Sequence, residues 1–157
     1  MLGVKGEHTI GERTAIIVEG HYDALIINAL LGRQRIPAYS VTPAGGQLNL
    51  PLTALAQFSM RPDTTKIVIV TDGDTRPEMV RDRIRQSLHD ATVPSGSIIE
   101  TVVIDPDLET ALGLPKRTRS HPNAREVTEQ VGNLDLAALG ASEPELRRLF
   151  HLLNVSR

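Results

Sequence analysis

The sequence predicts an α/β fold: a mainly parallel four-stranded sheet flanked by helices and followed by a short helical C-terminal tail. Three observations predict it. Short apolar runs rich in Val and Ile alternate along the chain with longer stretches of helical periodicity. Gly and Pro punctuate the boundaries. The spacing between successive apolar runs leaves room for a crossover helix, which implies parallel pairing and right-handed connections.

The first strand is "TAIIVEG", Thr14 to Gly20, four apolar residues closed by Glu19 and Gly20. "YDALIINALLG" follows as a helix, with Ala24, Leu25, Ile27, Leu30 and Leu31 apolar and Gly32 as its stop. "IPAYSVTPAGG" is a weaker second strand that ends in the pair Gly45-Gly46. "LPLTALAQFSM" reads as a helix with Pro51 in its first turn. "KIVIVTDGD" is the clearest strand in the chain, and it ends in Asp72, Gly73 and Asp74. "RPEMVRDRIRQSLHDA" is amphipathic, with Met79, Val80, Ile84 and Leu88 as its apolar stripe and its arginines outside. "SIIETVVID" is the fourth strand, and "LETALGL" supplies one or two helical turns. Beyond Gly113, "LPKRTRSHPNAR" is polar, basic and turn-rich, a loop. The tail from Glu126 holds two or three short helices. In the best formed, "SEPELRRLFHLL", Ser142 is the expected N-cap and Glu145 stands at capping-box spacing.

Bulk properties narrow the function classes. With 157 residues, 40% hydrophobic and 23% charged, the chain suits one compact domain with a small appendage. No apolar run is long enough to span a bilayer, and "MLGVKGEHTIGER" lacks the apolar core of a signal peptide. The absence of cysteine excludes disulfides, thiol chemistry and cysteine-ligated zinc, and fits a cytoplasmic address. A net charge of -2 argues against permanent residence on nucleic acid, and 3% aromatics argues against a base-stacking platform. Neither excludes an enzyme that meets phosphates through metal ions.

The chemistry-bearing residues gather at strand ends. Ligands of open parallel sheets bind beyond the carboxyl ends of the strands. Glu19 closes the first strand and Asp72 the third, and Asp74 points to the same side as Asp72 if the chain stays extended. Gly73 leaves the backbone free to turn. Carboxylates so arranged repel one another and raise each other's pKa unless a cation joins them. Hard divalent ions, Mg²⁺ above all, take one or two carboxylates together with water and substrate phosphates. The competing reading is local: Asp72 or Asp74 caps the helix that begins near Pro77.

"IIVEGHYDALIINAL", then "VTPAGG", then "IVIVTDGDT" resembles the Toprim domain family. That family includes bacterial primases, type IA and type II topoisomerases, recombination-repair proteins of the RecR kind and OLD-family nucleases. The resemblance spans Thr14 to Leu114 and implies a Toprim-like, Rossmann-like sheet. It divides the chain into an N-terminal extension (1–13), a Toprim-like α/β domain (14–114) and a basic loop with a helical tail (115–157). The family's glutamate falls on Glu19, its glycine on Gly45 or Gly46, and its Asp-x-Asp on Asp72 and Asp74, with Gly20 and Gly73 as further structural glycines. "VEGHYDA" is similar to the primase form, with Asp23 opening the first helix.

The resemblance implies a Mg²⁺- or Mn²⁺-dependent phosphoryl-transfer site in which Asp72 and Asp74 hold the ion and Glu19 is a further ligand or a general acid/base. Within the family, Tyr22 and Tyr39 both lie inside the Toprim-like region, so strand passage by this chain alone is not expected. Full primases and RecR-like proteins carry zinc-binding parts, which a chain without cysteine lacks. "VVIDPDLETALGL" is similar to the region of OLD-type nucleases in which a downstream glutamate adds to the metal site, and Glu109 matches it. The local alternative makes Asp105 an N-cap with Pro106 at the first helical position, and Glu109 a favourable charge at that N-terminus. No G-x-x-x-x-G-K-[ST] pattern is present, so the ATPase of OLD nucleases would be a separate partner. Arg76 and the cluster Lys116, Arg117 and Arg119 are candidates for holding a nucleic-acid backbone, whereas Arg81 and Arg85 read as solvated partners of Glu78 and Asp82.

The expectation is therefore a nuclease acting on DNA or RNA, with Glu19, Asp72, Asp74 and Glu109 as catalytic and metal-binding residues. The alternatives are a primase-like nucleotidyl transferase, or a non-catalytic module that binds nucleic acid or a partner. The helical tail would serve homo-oligomerisation in any of these.

Overall fold

A computed structural model describes residues 13–32, 39–115 and 123–155. Four strands form one parallel sheet: β1 (Arg13–Val18), β2 (Tyr39–Pro43), β3 (Thr64–Asp72) and β4 (Ile98–Ile104), in the order β2-β1-β3-β4. The central strands β1 and β3 align Ile16 with Val68 and Val18 with Val70. Both are covered on both faces, so they read as continuous apolar runs.

Successive side chains alternate between two cores. Ile16, Val18, Val68, Val70, Val102 and Ile104 face one, and Ala15, Ile17, Ile67, Ile69 and Val103 face the other. The first face is covered by α1 (His21–Gly32), α4 (Leu108–Leu112), α5 (Ala124–Gly132), α6 (Leu136–Ser142) and α7 (Pro144–Leu153). The second is covered by α2 (Leu50–Met60), which follows a 3₁₀ turn at Gln47–Asn49, and by α3 (Pro77–Leu88). No helix among the described residues is long and apolar enough to cross a membrane.

Local details depart from the sequence pattern in three places. Met79 does not join the apolar stripe of α3: it is 51% exposed, while Val80 and Ile84 are buried. Ser142 does not cap α7. Glu143 does, accepting from the Glu145 N–H at 3.4 Å, and Ser142 ends α6 with its hydroxyl donating to the Leu139 carbonyl. Glu145 is drawn away from the capping box because it pairs with Arg81 at 3.0 Å and accepts from the Val103 N–H at 3.3 Å. Arg81 is accordingly half-buried rather than solvated, and it also donates to the Thr101 carbonyl at 3.2 Å. Arg148 on α7 donates to that carbonyl at 2.7 Å. Together these side chains occupy backbone groups on the outer edge of β4, which would otherwise be an open pairing template. Arg85 does pair with Asp82, at 3.2 Å on the exposed face.

The strand order fixes where a ligand can sit. β1 leads into α1 on one face, and β3 leads into α3 on the other. The two connections diverge from neighbouring strands and leave a crevice beyond their carboxyl ends.

Candidate metal centre

Both walls of that crevice carry acids. Glu19 lies one residue beyond β1, and Asp23 follows in the first turn of α1. The Gly20 N–H donates to Asp23 Oδ2 at 3.2 Å, while the Ala24 N–H donates to the Gly20 carbonyl. This is the return arm of a capping box, and it ties the Asp23 carboxylate to the strand end. Asp72 closes β3, and its Oδ1 accepts from the Leu108 N–H at 3.1 Å, the first residue of α4. Glu109 is the next residue on α4. Asp23, Asp72 and Glu109 each offer an oxygen within 4.8 Å of the others, the one such grouping of three among the described residues.

The cluster is electrostatically uncomfortable. Burial pushes the Asp72 carboxyl up to about 8, with Asp23, Glu19 and Glu109 adding repulsion against the lowering effect of the Leu108 N–H. Burial and the nearby Glu109 push Asp23 up to about 6, despite the Gly20 N–H. Three half-buried carboxylates, all oxygen donors, match the preference of a hard divalent ion, whose charge would relieve both desolvation and repulsion. The donor set therefore fits a hard divalent cation.

Glu19 stands apart from the three. Its Oε2 accepts from the Thr71 hydroxyl at 2.6 Å and from the Asp72 N–H at 2.7 Å, which lock it against the end of β3. Behind it, the Gly45 and Gly46 N–H groups donate to the Glu19 carbonyl at 2.9 and 3.0 Å, with φ of 82° and 133°. Side chains rarely adopt that conformation, so this pair of glycines makes the turn possible.

Asp74 does not continue beside Asp72. The chain turns instead of staying extended, with φ of 51° at Asp74 and 66° at Thr75, and Asp74 lies exposed on the turn. Burial, then Glu19, Asp107 and Asp105, raise its carboxyl, against a hydrogen bond from Gln47. Gly73 permits the turn: a Cβ there would stand 2.9 Å from Asp105 Oδ1 and 3.2 Å from Pro77 Cβ. Asp105 does not cap α4. It accepts from the Thr75 N–H at 2.7 Å, and Asp107 is the cap, accepting from the Thr110 N–H at 2.8 Å. Neither Asp72 nor Asp74 caps α3, whose N-cap is Arg76.

Arg76 is exposed near these acids, its guanidinium 3.9 Å from Met79 Sδ. Lys116, Arg117 and Arg119 lie outside the described residues. Three participants escaped the sequence reading. In the sequence Asp23 belongs to the primase-like "VEGHYDA" and opens the first helix, where an acid has a routine dipole role, and nothing there marks it as a metal ligand. Thr71 and Gln47 carry no motif at all: the Gln47 amide donates to Thr71 Oγ1 and to the Asp72 carbonyl, both at 3.2 Å.

No family model matches the chain, and no curated protein matches it. Among solved structures, the chain is similar to one from bacteriophage T7, described as lagging-strand DNA polymerase interacting with primase domains of two gp4 subunits bound to an RNA/DNA hybrid and dTTP. That likeness has a TM-score of 0.44 and 20% identity, and covers 79% of this chain and 56% of that one. A thioredoxin-dependent arsenate reductase of Corynebacterium glutamicum gives a TM-score of 0.31 at 13% identity, over 92% of this chain and 63% of that one. The chain thus spans less than two thirds of the length of either. At these values neither likeness assigns a function, and the chemistry of the site rests on its own geometry.

Proposed function

We propose that this chain is a Toprim-type nuclease that hydrolyses phosphodiester bonds of DNA or RNA with the help of Mg²⁺ or Mn²⁺. The observation that carries the reading is the convergence of Asp23, Asp72 and Glu109 within 4.8 Å, in the crevice beyond β1 and β3. These three would hold the ion, and Asp74, exposed on the turn, is a further donor. The ion when bound supplies Lewis acidity toward a phosphoryl oxygen and offsets the negative charge that builds up there. Glu19, fixed through Oε2 by two donors, offers its other oxygen as a proton acceptor for an attacking water. Arg76 and the basic cluster Lys116, Arg117 and Arg119 would hold the flanking phosphates. The approach of Glu109 to Asp72 favours hydrolysis over nucleotidyl transfer, because a downstream glutamate is the feature shared with OLD-type nucleases. In this reading 14–114 is the catalytic domain, and the tail within 115–157 completes one face of its sheet.

The test incubates labelled DNA and RNA with the protein, with and without Mg²⁺ or Mn²⁺, beside Asp72→Asn and Glu109→Gln. Metal-dependent cleavage that both variants lose is the expected result. Cleavage that survives both substitutions would overturn the site assignment. Extension of an oligonucleotide by added nucleotides, without cleavage, would replace the nuclease by a transferase.

A further inference from the structure

A chain of hydrogen bonds with one permitted direction runs from α3 into the acidic centre. Arg83 Nη1 donates to Gln47 Oε1 at 3.1 Å. Gln47 Nε2 donates to the Asp72 carbonyl and to Thr71 Oγ1, both at 3.2 Å. The Thr71 hydroxyl then donates to Glu19 Oε2 at 2.6 Å. The orientation of the Gln47 amide is fixed at both ends. A guanidinium only donates and so requires the amide oxygen, whereas a carbonyl only accepts and so requires the amide nitrogen. Thr71 Oγ1 thereby receives a proton from Gln47, and its own proton has one strong acceptor within reach. Glu19 Oε2 takes two donors, the Thr71 hydroxyl and the Asp72 N–H at 2.7 Å.

From this we infer that Gln47, anchored by Arg83, is a positioning residue: it sets the direction of the Thr71 hydroxyl and so aims Glu19. The inference rests on the nuclease reading for its kinetic consequence only. Gln47 precedes α2 and Arg83 lies on α3, both on the sheet face opposite α1, so the relay links that face to a carboxylate held at the end of β1. Partners that orient a metal-ligating side chain from behind typically contribute about tenfold to a hundredfold in metal affinity or activity, and the same scale is the expectation for a carboxylate aimed at an attacking water.

The test compares Gln47→Leu, Gln47→Glu, Thr71→Val, Thr71→Ser and Gln47→Glu/Thr71→Val. Gln47→Glu keeps the shape, removes every donor and offers the Thr71 hydroxyl a competing acceptor in place of the amide N–H, so it reports direction even if Gln47→Leu disturbs the loop. The expected result is a kcat about tenfold or more lower in Gln47→Glu and Thr71→Val, with KM and the Mn²⁺ dissociation constant measured without substrate nearly unchanged in Thr71→Val, since Gln47 also hydrogen-bonds the Asp74 carboxyl. The double variant is expected to be no slower than the slower single, and Thr71→Ser to retain most activity. Multiplicative losses in the double variant, or Mn²⁺ binding that weakens in step with kcat in Thr71→Val, would overturn the relay. A second readout stands apart from activity: the exchange rate of the Thr71 hydroxyl proton, followed by NMR, is expected to rise in Gln47→Glu. An unchanged rate there would refute the inference. Absence of cleavage by the wild type would instead refute the nuclease reading and leave this readout intact.

Discussion

Replacing Asp72 by Asn should make the metal-free protein more stable, by an amount that grows with pH. Asn keeps an acceptor for the Leu108 N–H and removes the charge. The wild-type carboxyl is raised from 3.8 to about 8 in the folded state. Between those values the folded chain binds more protons than the unfolded one, so stability present at low pH is lost as pH rises. From pH 5 to 8, at 1.36 kcal/mol per pH unit, the loss has an upper bound of about 4 kcal/mol. Asp72 is half-buried, and solvent screening reduces this to about 2 kcal/mol. For a chain of this size that corresponds to roughly 6 °C in Tm. The assay is thermal denaturation of both proteins in EDTA at pH 5, 6, 7 and 8. The Tm of the variant minus that of the wild type should widen by about this amount toward pH 8. Saturating Mg²⁺ should reverse the order at pH 8, since binding to the folded state alone adds about 3 kcal/mol at a hundredfold excess over Kd. A Tm difference that stays flat from pH 5 to 8 would refute the argument that uncompensated repulsion and burial at Asp72 cost stability.

Three further outcomes follow from the packing. Gly73→Ala places a methyl group 2.9 Å from Asp105 Oδ1; it should cost about 1–3 kcal/mol in urea denaturation and weaken Mn²⁺ binding by displacing the turn after Asp72. Leu149→Ala empties a fully buried position on α7 and should cost about 2–5 kcal/mol by the same measurement. A double-mutant cycle of Arg81→Ala and Glu145→Ala should give a coupling of about 1 kcal/mol, because the pair is mostly shielded at 27% and 30% exposure; a coupling near zero would mean that the two act on the β4 edge independently.

The strands were legible because β1 and β3 are buried on both faces, which writes them as unbroken runs such as "IVIV". Their order was not, since it depends on which face each crossover helix covers, a property of the assembled core. The strand ends located Glu19 and Asp72 through the carboxyl-end rule alone. At Asp74 the sequence leaves two courses open, an extended chain or a bend at Gly73, and the structure takes the bend. The approach of Glu109 to Asp72 needs β4 beside β3 and α4 folded back over the crevice, a long-range fact that no spacing encodes. The capping of α7 failed for a related reason: Glu145 found better partners in Arg81 and Val103, remote in sequence, than in its own helix.

The covering of one sheet face by α5, α6 and α7 has a consequence for synthesis. Once Ile104 has left the ribosome all four strands are outside, but Val127, Leu136, Leu146, Leu149 and Val155, which help to seal the face of Val68, Val70 and Val102, have yet to emerge. Roughly fifty residues separate Ile104 from Val155. At about 5–20 residues per second that is a wait of roughly 3–10 s in which α1 and α4 alone shield this sheet face. The nascent chain is a natural client for holding chaperones over that interval, and any message cut short before α7 yields a product fit for degradation rather than for folding.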